Sequence, residues 1–218
     1  MSAITSYSSA RKKPLKKIDS ENRPIYLIFA GCNGCGKSTL YNSAYSDSFD
    51  FPRVNSDEAL KAFNGNWRLG SDRMKADRIT VKQVREYFSQ KISFCQETTL
   101  CGKSIIQNIS LARNEGYDIN LYYVGVESAE LAKERIKNRV ANGGHGIPDK
   151  DVDRRYLETV QKMKAIWPMC DKVFFFDNTV NFIHIAYYQD GDFVQLVPEL
   201  PNWMNEIVAC YPVSRRIY

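Results

Sequence analysis

The chain has 218 residues, of which 44% are hydrophobic and 25% are charged, and its formal net charge at pH 7 is +5. These values exclude global disorder and collagen-like or coiled-coil architecture, and the length fits one domain. No apolar run approaches the ~20 residues that span a membrane, and the start lacks the apolar segment of a secretory signal. We therefore expect a cytoplasmic protein without a membrane partner, in which the six cysteines are reduced.

Residues 1–23 are rich in Ser, Lys and Arg and show no apolar periodicity. This pattern predicts a mobile basic arm, followed by a single domain over residues 24–218. The basic run at residues 11–17 could contact an anionic surface, but a solvated tail is the favoured interpretation.

From residue 24 onward, apolar runs alternate with amphipathic segments. Predicted strands cover residues 25–30, 51–55, 93–99, 121–126 and 173–176, and a predicted β-hairpin covers 181–188 and 192–197. Predicted helices cover residues 37–45, 79–92, 105–112, 128–142 and 152–167. The alternation predicts an α/β fold, with a mostly parallel sheet covered by helices on both faces and a C-terminal β-hairpin. Ligands of such sheets bind at the carboxyl ends of the strands.

The first predicted strand leads into the pattern G-x-x-x-x-G-K-[ST], which opens a helix as a P-loop does. The residues concerned are Gly31, Cys32, Asn33, Gly34, Cys35, Gly36, Lys37, Ser38 and Thr39. Glycines let backbone N–H groups point at phosphate oxygens, and the helix start adds positive potential. Lys37 could reach the β- and γ-phosphates of ATP, and the Ser38 hydroxyl could ligate Mg²⁺. A P-loop NTPase or kinase fold is therefore expected, and a turn that binds no nucleotide is the alternative.

Cys32 and Cys35 form a C-x-x-C pair inside this loop. A redox or metal role is one interpretation, because a thiol near a helix start can be acidified. No second Cys/His pair with suitable spacing completes a zinc site in the sequence. Coincidence is therefore the favoured interpretation of the pair.

Polar residues close the second and third predicted strands. Asp57 could take the proton of a hydroxyl that attacks the γ-phosphorus, although capping of the next helix by Asp57 or Ser56 fits the spacing equally well. Glu97 could hold Mg²⁺ through water or bond a sugar hydroxyl, and Thr98 and Thr99 could bond such a hydroxyl. A structural turn is the alternative at this second position.

Four arginines flank a glycine-rich hinge over residues 143–148: Arg135, Arg139, Arg154 and Arg155. The first two are four residues apart and share a helix face. We expect a helical, arginine-rich lid over about residues 135–160, which could stabilise the transition state of phosphoryl transfer. A solvated pair of basic helices is the alternative. His145 in the hinge is expected to form hydrogen bonds in the lid rather than to act as a general base.

Four stretches of the chain together resemble the compact bacterial branch of the zeta toxin family of P-loop kinases. They are residues 31–39, 55–57, 97–100, and 139–148 continuing to 152–156, and Asp177-Asn178 also fits. The resemblance spans about residues 24–190. It departs from the family pattern at Cys35, where Ser is usual, and over residues 58–75, which should help to shape the acceptor pocket.

The resemblance implies a kinase that uses ATP and Mg²⁺ to phosphorylate the 3′-hydroxyl of the amino sugar in UDP-N-acetylglucosamine or a related UDP-sugar. It implies that the catalytic residues are Asp57 as the base, with Lys37, Arg139 and Arg154 or Arg155 on the phosphates. It places Glu97 beside the sugar. Together with the residues considered above, the expected substrate-binding residues are Asp57, Glu97, Thr98, Thr99 and His145. It also implies a toxin that is held by a separate small helical antitoxin.

Two alternative functions share the P-loop. A kinase of another small metabolite would differ only in the acceptor pocket. An ATP-dependent switch or nucleic-acid-associated ATPase would fit the P-loop and the basic arm. We disfavour a nucleic-acid partner because no apolar run after the P-loop strand ends in a clear metal-binding aspartate of a motor protein.

Overall fold

The structure is a computed structural model that describes residues 23–45, 51–209, 211 and 214–217. The predicted basic arm lies outside the described residues except for Arg23, whose Nε donates to the carbonyl of Gly116 at 2.9 Å. No helix in the described part of the chain is both long enough and apolar enough to cross a membrane.

The secondary structure alternates between strands and helices. The strands are β1 (Ile25–Ala30), β2 (Arg53–Val54), β3 (Phe94–Thr98), β4 (Asp118–Gly125), β5 (Lys172–Asp177), β6 (Ile183–Gln189), β7 (Asp192–Gln195) and β8 (Arg215–Arg216). The α-helices are α1 (Lys37–Leu40), α2 (Ser56–Ala62), α3 (Gly70–Ser89), α4 (Ser104–Asn114), α5 (Ala129–Ala141), α6 (Asp149–Ile166) and α7 (Asn202–Val208). A π-helical turn, Tyr41–Tyr45, continues α1, and a 3₁₀ turn, Trp167–Met169, follows α6.

The strands form one sheet in the order β2-β3-β1-β4-β5-β6-β7-β8. The first five strands of this order are parallel. β6 and β7 form an antiparallel hairpin at one end, and β8 pairs in parallel with β7. Because β1 lies between β3 and β4, the turn after β1 leaves the sheet where the strand order reverses. Open α/β sheets bind their ligands at such a point.

Apolar layers cover both faces of the sheet. Successive residues of β1 alternate between them, with Tyr26 and Ile28 in one core cluster and Leu27 and Phe29 in the other. Residues of α3, α4 and α7 pack in the first cluster, and residues of α1 and α5 pack in the second. The predicted α/β class, mostly parallel sheet, helices on both faces and C-terminal hairpin are therefore confirmed.

Element bounds differ from prediction where polar residues are buried or apolar ones are sparse. β4 begins at Asp118, ahead of its apolar run, because its backbone pairs there with Ile25 of β1. The buried Asp118 carboxylate lies 3.6 Å from Lys172 Nζ and accepts from Asn120 Nδ2 at 3.2 Å. α3 begins at Gly70, well before its apolar stripe, since its first half buries only Ala76. Helix α7 was not predicted, because its seven residues are too few to show a helical period.

Candidate active site

The phosphate loop, residues 31–38, connects β1 to α1 through backbone conformations that favour glycine. Gly31, Gly34 and Gly36 have φ angles of 142°, 80° and 106°. A Cβ atom would lie 2.2 Å from the carbonyl oxygen of Val124 at Gly31, and 2.5 Å from that of Ala132 at Gly34. The loop therefore packs directly against β4 and α5, with no space for larger residues at these glycines.

Lys37 lies buried in this loop. Its Nζ donates to the carbonyl of Cys32 at 2.7 Å. Burial acts to lower the pKa of Lys37, but the charges of Cys35 and Glu97 outweigh burial and raise it above its usual value. The loop thus holds a permanent positive charge.

The two loop cysteines are buried. Burial acts to raise the pKa of Cys35, but the neighbouring Cys32 side chain and the Lys37 charge lower it to about 7. Within the described residues, no group of three or more His, Cys, Asp or Glu side chains is placed to hold a metal ion. The described part of the chain therefore offers no metal-ligand set around the C-x-x-C pair.

Glu97, at the end of β3, connects the phosphate loop to the neighbouring strand β2. Its Oε1 accepts from Ser38 Oγ at 2.8 Å. Its Oε2 accepts from Asn55 Nδ2 at 2.9 Å and from Arg53 Nη2 at 2.5 Å. No sequence pattern had indicated Arg53 and Asn55 as site residues. Their position at the end of β2, the strand that precedes Asp57, was the available signal.

Asp57 follows β2 in the first turn of α2, but Asn55 caps that helix by accepting from the N–H of Asp57 at 2.8 Å. The alternative in which Asp57 or Ser56 caps the helix is therefore wrong. The Asp57 carboxylate instead lies 2.5 Å from His145 Nε2. Burial acts to raise the pKa of Asp57, but His145 and then Arg139 outweigh it and lower the pKa below its usual value. The carboxylate is thus ionised at neutral pH.

Helices α5 and α6 and the hinge between them bring three arginines to the site. Arg135 Nη2 donates to the carbonyl of Thr179 at 3.2 Å, and Arg139 Nε to the carbonyl of His145 at 2.8 Å. Arg155 Nη1 donates to Asn33 Oδ1 of the phosphate loop at 3.2 Å.

Each of these guanidinium groups keeps one buried nitrogen without a partner among the described residues. The atoms are Arg135 Nη1, Arg139 Nη2 and Arg155 Nε. Buried cationic donors without partners are costly in a folded protein. Their convergence fits a site for an anionic ligand.

The structure separates Arg154 from its neighbour Arg155. Arg154 is 56% exposed and pairs along its own helix with Glu158 at 2.8 Å and Asp151 at 3.7 Å. Both arginines line the cavity described next, but only Arg155 contacts the phosphate loop. The sequence could not distinguish them, because adjacent residues of an α-helix point about 100° apart.

One continuous cavity of about 970 Å³ joins these groups. It lies near the upper end of the range for ligand pockets, roughly 300–1,000 Å³. The predicted residues that line it are Asn33, Gly34, Gly36, Lys37, Ser38, Thr39, Asp57, Glu97, Thr98, Thr99, Arg135, Arg139, His145, Arg154 and Arg155. Gly31, Cys32 and Cys35 are buried in the loop and do not line the cavity.

The far wall of the cavity consists of residues that the sequence analysis did not select. They are Asp77, Thr80, Val81 and Val84 of α3, Gln96 of β3, and Ser104 and Asn108 of α4. These residues carry no local motif, and only the packing of α3 and α4 beside β3 brings them to the cavity. The volume can hold a second reactant beside a nucleotide.

No family model matches the chain. An uncharacterized protein of Haemophilus influenzae (strain ATCC 51907 / DSM 11121 / KW20 / Rd) is 36% identical over 137 residues, which cover 62% of this chain and 94% of that protein.

Solved structures share the fold at low identity. A chain of the AvrRxo1-ORF1:AvrRxo1-ORF2 complex with sulphate ions has a TM-score of 0.60 at 15% identity. The match covers 78% of the present chain and 60% of the AvrRxo1 complex chain. A chain of the same complex with ATP has a TM-score of 0.59 at 14% identity. A chain of the PezAT chromosomal toxin-antitoxin system of Streptococcus pneumoniae gives 0.53 at 13% identity, with 78% of this chain and 75% of that chain covered. These likenesses show that the chain shares its α/β fold with these proteins.

Proposed function

We propose that this chain, which belongs to one family with the Haemophilus influenzae protein, is an ATP-dependent kinase that phosphorylates a hydroxyl group of a nucleotide sugar. The observation that carries the proposal is that a charged P-loop lysine, Lys37, and an ionised carboxylate, Asp57, line one cavity. A triphosphate site alone would serve a switch, whereas a separate base in the same cavity serves transfer to an acceptor.

In the proposed reaction, the loop N–H groups and Lys37 hold the ATP phosphates, and the lid arginines stabilise the charge that develops on them. Asp57 accepts the proton of the acceptor hydroxyl as its oxygen bonds to the γ-phosphorus. The bond from that phosphorus to the bridging oxygen breaks, and ADP leaves.

The chain also offers suitable ligands for Mg²⁺. The Ser38 hydroxyl and the Glu97 carboxylate are hard oxygen donors, and Arg53 and Asn55 fix the carboxylate from its other oxygen. When bound, Mg²⁺ would neutralise phosphate charge.

The acceptor that we propose is the amino sugar of UDP-N-acetylglucosamine or a related UDP-sugar, phosphorylated at its 3′-hydroxyl. The polar side chains of Asp77, Thr80, Gln96 and Asn108 line the cavity. They supply hydrogen-bond donors and acceptors for the sugar and the uracil ring of such a substrate. We further propose that the protein is the toxin of a pair with a separate small helical antitoxin. The AvrRxo1-ORF1:AvrRxo1-ORF2 complex and the PezAT system support a separate partner chain.

Replacing Arg155 should weaken ATP binding more than replacing Arg154. Arg155→Ala removes the guanidinium that contacts the phosphate loop, and charged hydrogen bonds contribute about 1.5–3 kcal/mol, so we expect a loss of roughly tenfold or more. Arg154→Ala removes only exposed pairs within its helix, which contribute about 0–1 kcal/mol. Calorimetric titration with a non-hydrolysable ATP analogue measures both. Equal losses would contradict the separate roles.

The proposed function is tested by incubating the protein with ATP, Mg²⁺ and a panel of UDP-sugars, followed by mass spectrometry. We expect one UDP-sugar to gain one phosphate, and chelation of Mg²⁺ with EDTA to stop the gain. Small hydroxylated metabolites and a single-stranded polynucleotide form two further panels. ADP release that requires the polynucleotide, with no phosphorylated sugar, would overturn the proposal in favour of the ATPase.

A further inference from the structure

His145 is the lid residue that touches the proposed catalytic base. Its Nε2 lies 2.5 Å from Asp57 Oδ2, with the imidazole side chain 18% exposed. None of the described residues donates a hydrogen bond to the other oxygen, Oδ1, although Asp57 lines the cavity. The contact thus occupies one carboxylate oxygen and leaves the second for another donor.

The backbone of His145 is fixed from two sides. Its carbonyl accepts from Arg139 Nε at 2.8 Å. A Cβ atom at Gly144 would lie 2.6 Å from Arg139 Cγ, and one at Gly146 would lie 2.7 Å from the indole of Trp67. The hinge is therefore packed between the lid helix α5 and the segment that joins α2 to α3. Side chains on either side of His145 would displace it.

We propose that His145 is a positioning residue, which orients the Asp57 carboxylate toward the acceptor hydroxyl and ties this orientation to the phosphate-binding Arg139. The proposal rests on the proposed kinase function. Arg139 contributes a buried nitrogen without a protein partner and also holds the His145 carbonyl. A phosphate group that binds Arg139 therefore also fixes the position of His145, which contacts Asp57.

The charged groups around Asp57 indicate how its pKa should change when His145 is removed. Lys37 of the phosphate loop and Arg139 and His145 of the lid lower its pKa, and Asp77 of α3 faces it as a like charge. Removing His145 removes the 2.5 Å contact that most favours the ionised form of Asp57. The pKa of Asp57 should therefore rise, and a base that must be ionised should lose activity at a higher pH than in the wild type.

The test compares His145→Ala, His145→Gln and wild-type protein by ¹³C NMR titration of the Asp57 carboxyl, assigned by its absence in Asp57→Asn. We expect the midpoint to rise in His145→Ala, and to return partly in His145→Gln, which keeps a neutral donor. In assays of transfer, we expect the acid limb of kcat to move to higher pH and kcat to fall roughly ten- to hundredfold, with KM for ATP little changed. Lys137→Ala, an exposed lid position outside the cavity, is the matched control.

An unchanged Asp57 midpoint in both His145 variants would overturn this inference, whether or not the protein is active. A shifted midpoint with an unchanged acid limb of kcat would also overturn it, because the base would then not depend on the contact. A wild-type protein that phosphorylates no acceptor would overturn the proposed function instead. If His145→Ala does not fold, His145→Gln alone decides, since loss of the imidazole should still raise the midpoint.

Discussion

Asp57→Asn is expected to reduce phosphate transfer by about 10²–10⁴-fold, the range typical of a lost general base, while ATP affinity stays near that of the wild type. The replacement is isosteric and leaves the cap of α2 intact, because Asn55 accepts from the backbone of residue 57 and not from its side chain. The amide cannot take the proton of the attacking hydroxyl. The phosphate loop does not contact this side chain through any hydrogen bond of the described residues.

The measurement is a transfer assay with the acceptor that the mass-spectrometric panel identifies, combined with calorimetric titration of an ATP analogue. Asp190→Asn is the matched control, since Asp190 lies in the β6–β7 turn with a φ of 55°, a conformation that Asn adopts readily. Transfer within a few fold of the wild type in Asp57→Asn would remove Asp57 from the role of base.

Lys37→Ala is expected to weaken both ATP binding and transfer. Hydrogen bonds to charged groups contribute about 1.5–3 kcal/mol, which corresponds to roughly a ten- to hundredfold loss of affinity. Loss of a donor to the developing charge should lower transfer by about 10²–10³-fold. If expression of the wild type arrests growth, the Ala variant should relieve the arrest.

The measurements are calorimetric titration, the transfer assay and growth on induction. Lys37 Nζ also donates to the carbonyl of Cys32, so circular dichroism must confirm the fold. Lys164→Ala is the control, because Lys164 lies on α6 and pairs only weakly, at 3.8 Å, with Glu206. Undiminished growth arrest by a folded Lys37→Ala protein would argue against a kinase as the cause of toxicity.

Local patterns predicted much of the fold. β1, the phosphate loop and α1 follow one another along the chain, so a single stretch specifies them. Ser128 caps α5 and accepts from the N–H of Leu131 at 3.2 Å. Asp190 and Gly191 form the hairpin turn with φ angles of 55° and 89°. Each of these features depends on neighbours within a few residues.

The sequence could predict only those site residues that lie at the ends of strands. Asp57 follows β2 and Glu97 lies near the end of the parallel strand β3, so their position at the same edge of the sheet follows from the topology. The amide of Asn55 between them, and the choice of Arg155 over Arg154 for the loop, depend on side-chain directions that spacing leaves open. The contact of His145 with Asp57 joins residues far apart in sequence, and no periodic pattern could have indicated it.

The side-chain amide of Asn55 connects Glu97 to the backbone of Asp57. Its Nδ2 donates to Glu97 while its Oδ1 accepts from the N–H of Asp57, so the site needs an amide there and not an acid. Conversion to aspartate would set a carboxylate against Glu97, where like charges close together cannot both remain ionised without cost. Loss of the amide at this one position would therefore disturb both the carboxylate proposed to bind Mg²⁺ and the proposed base.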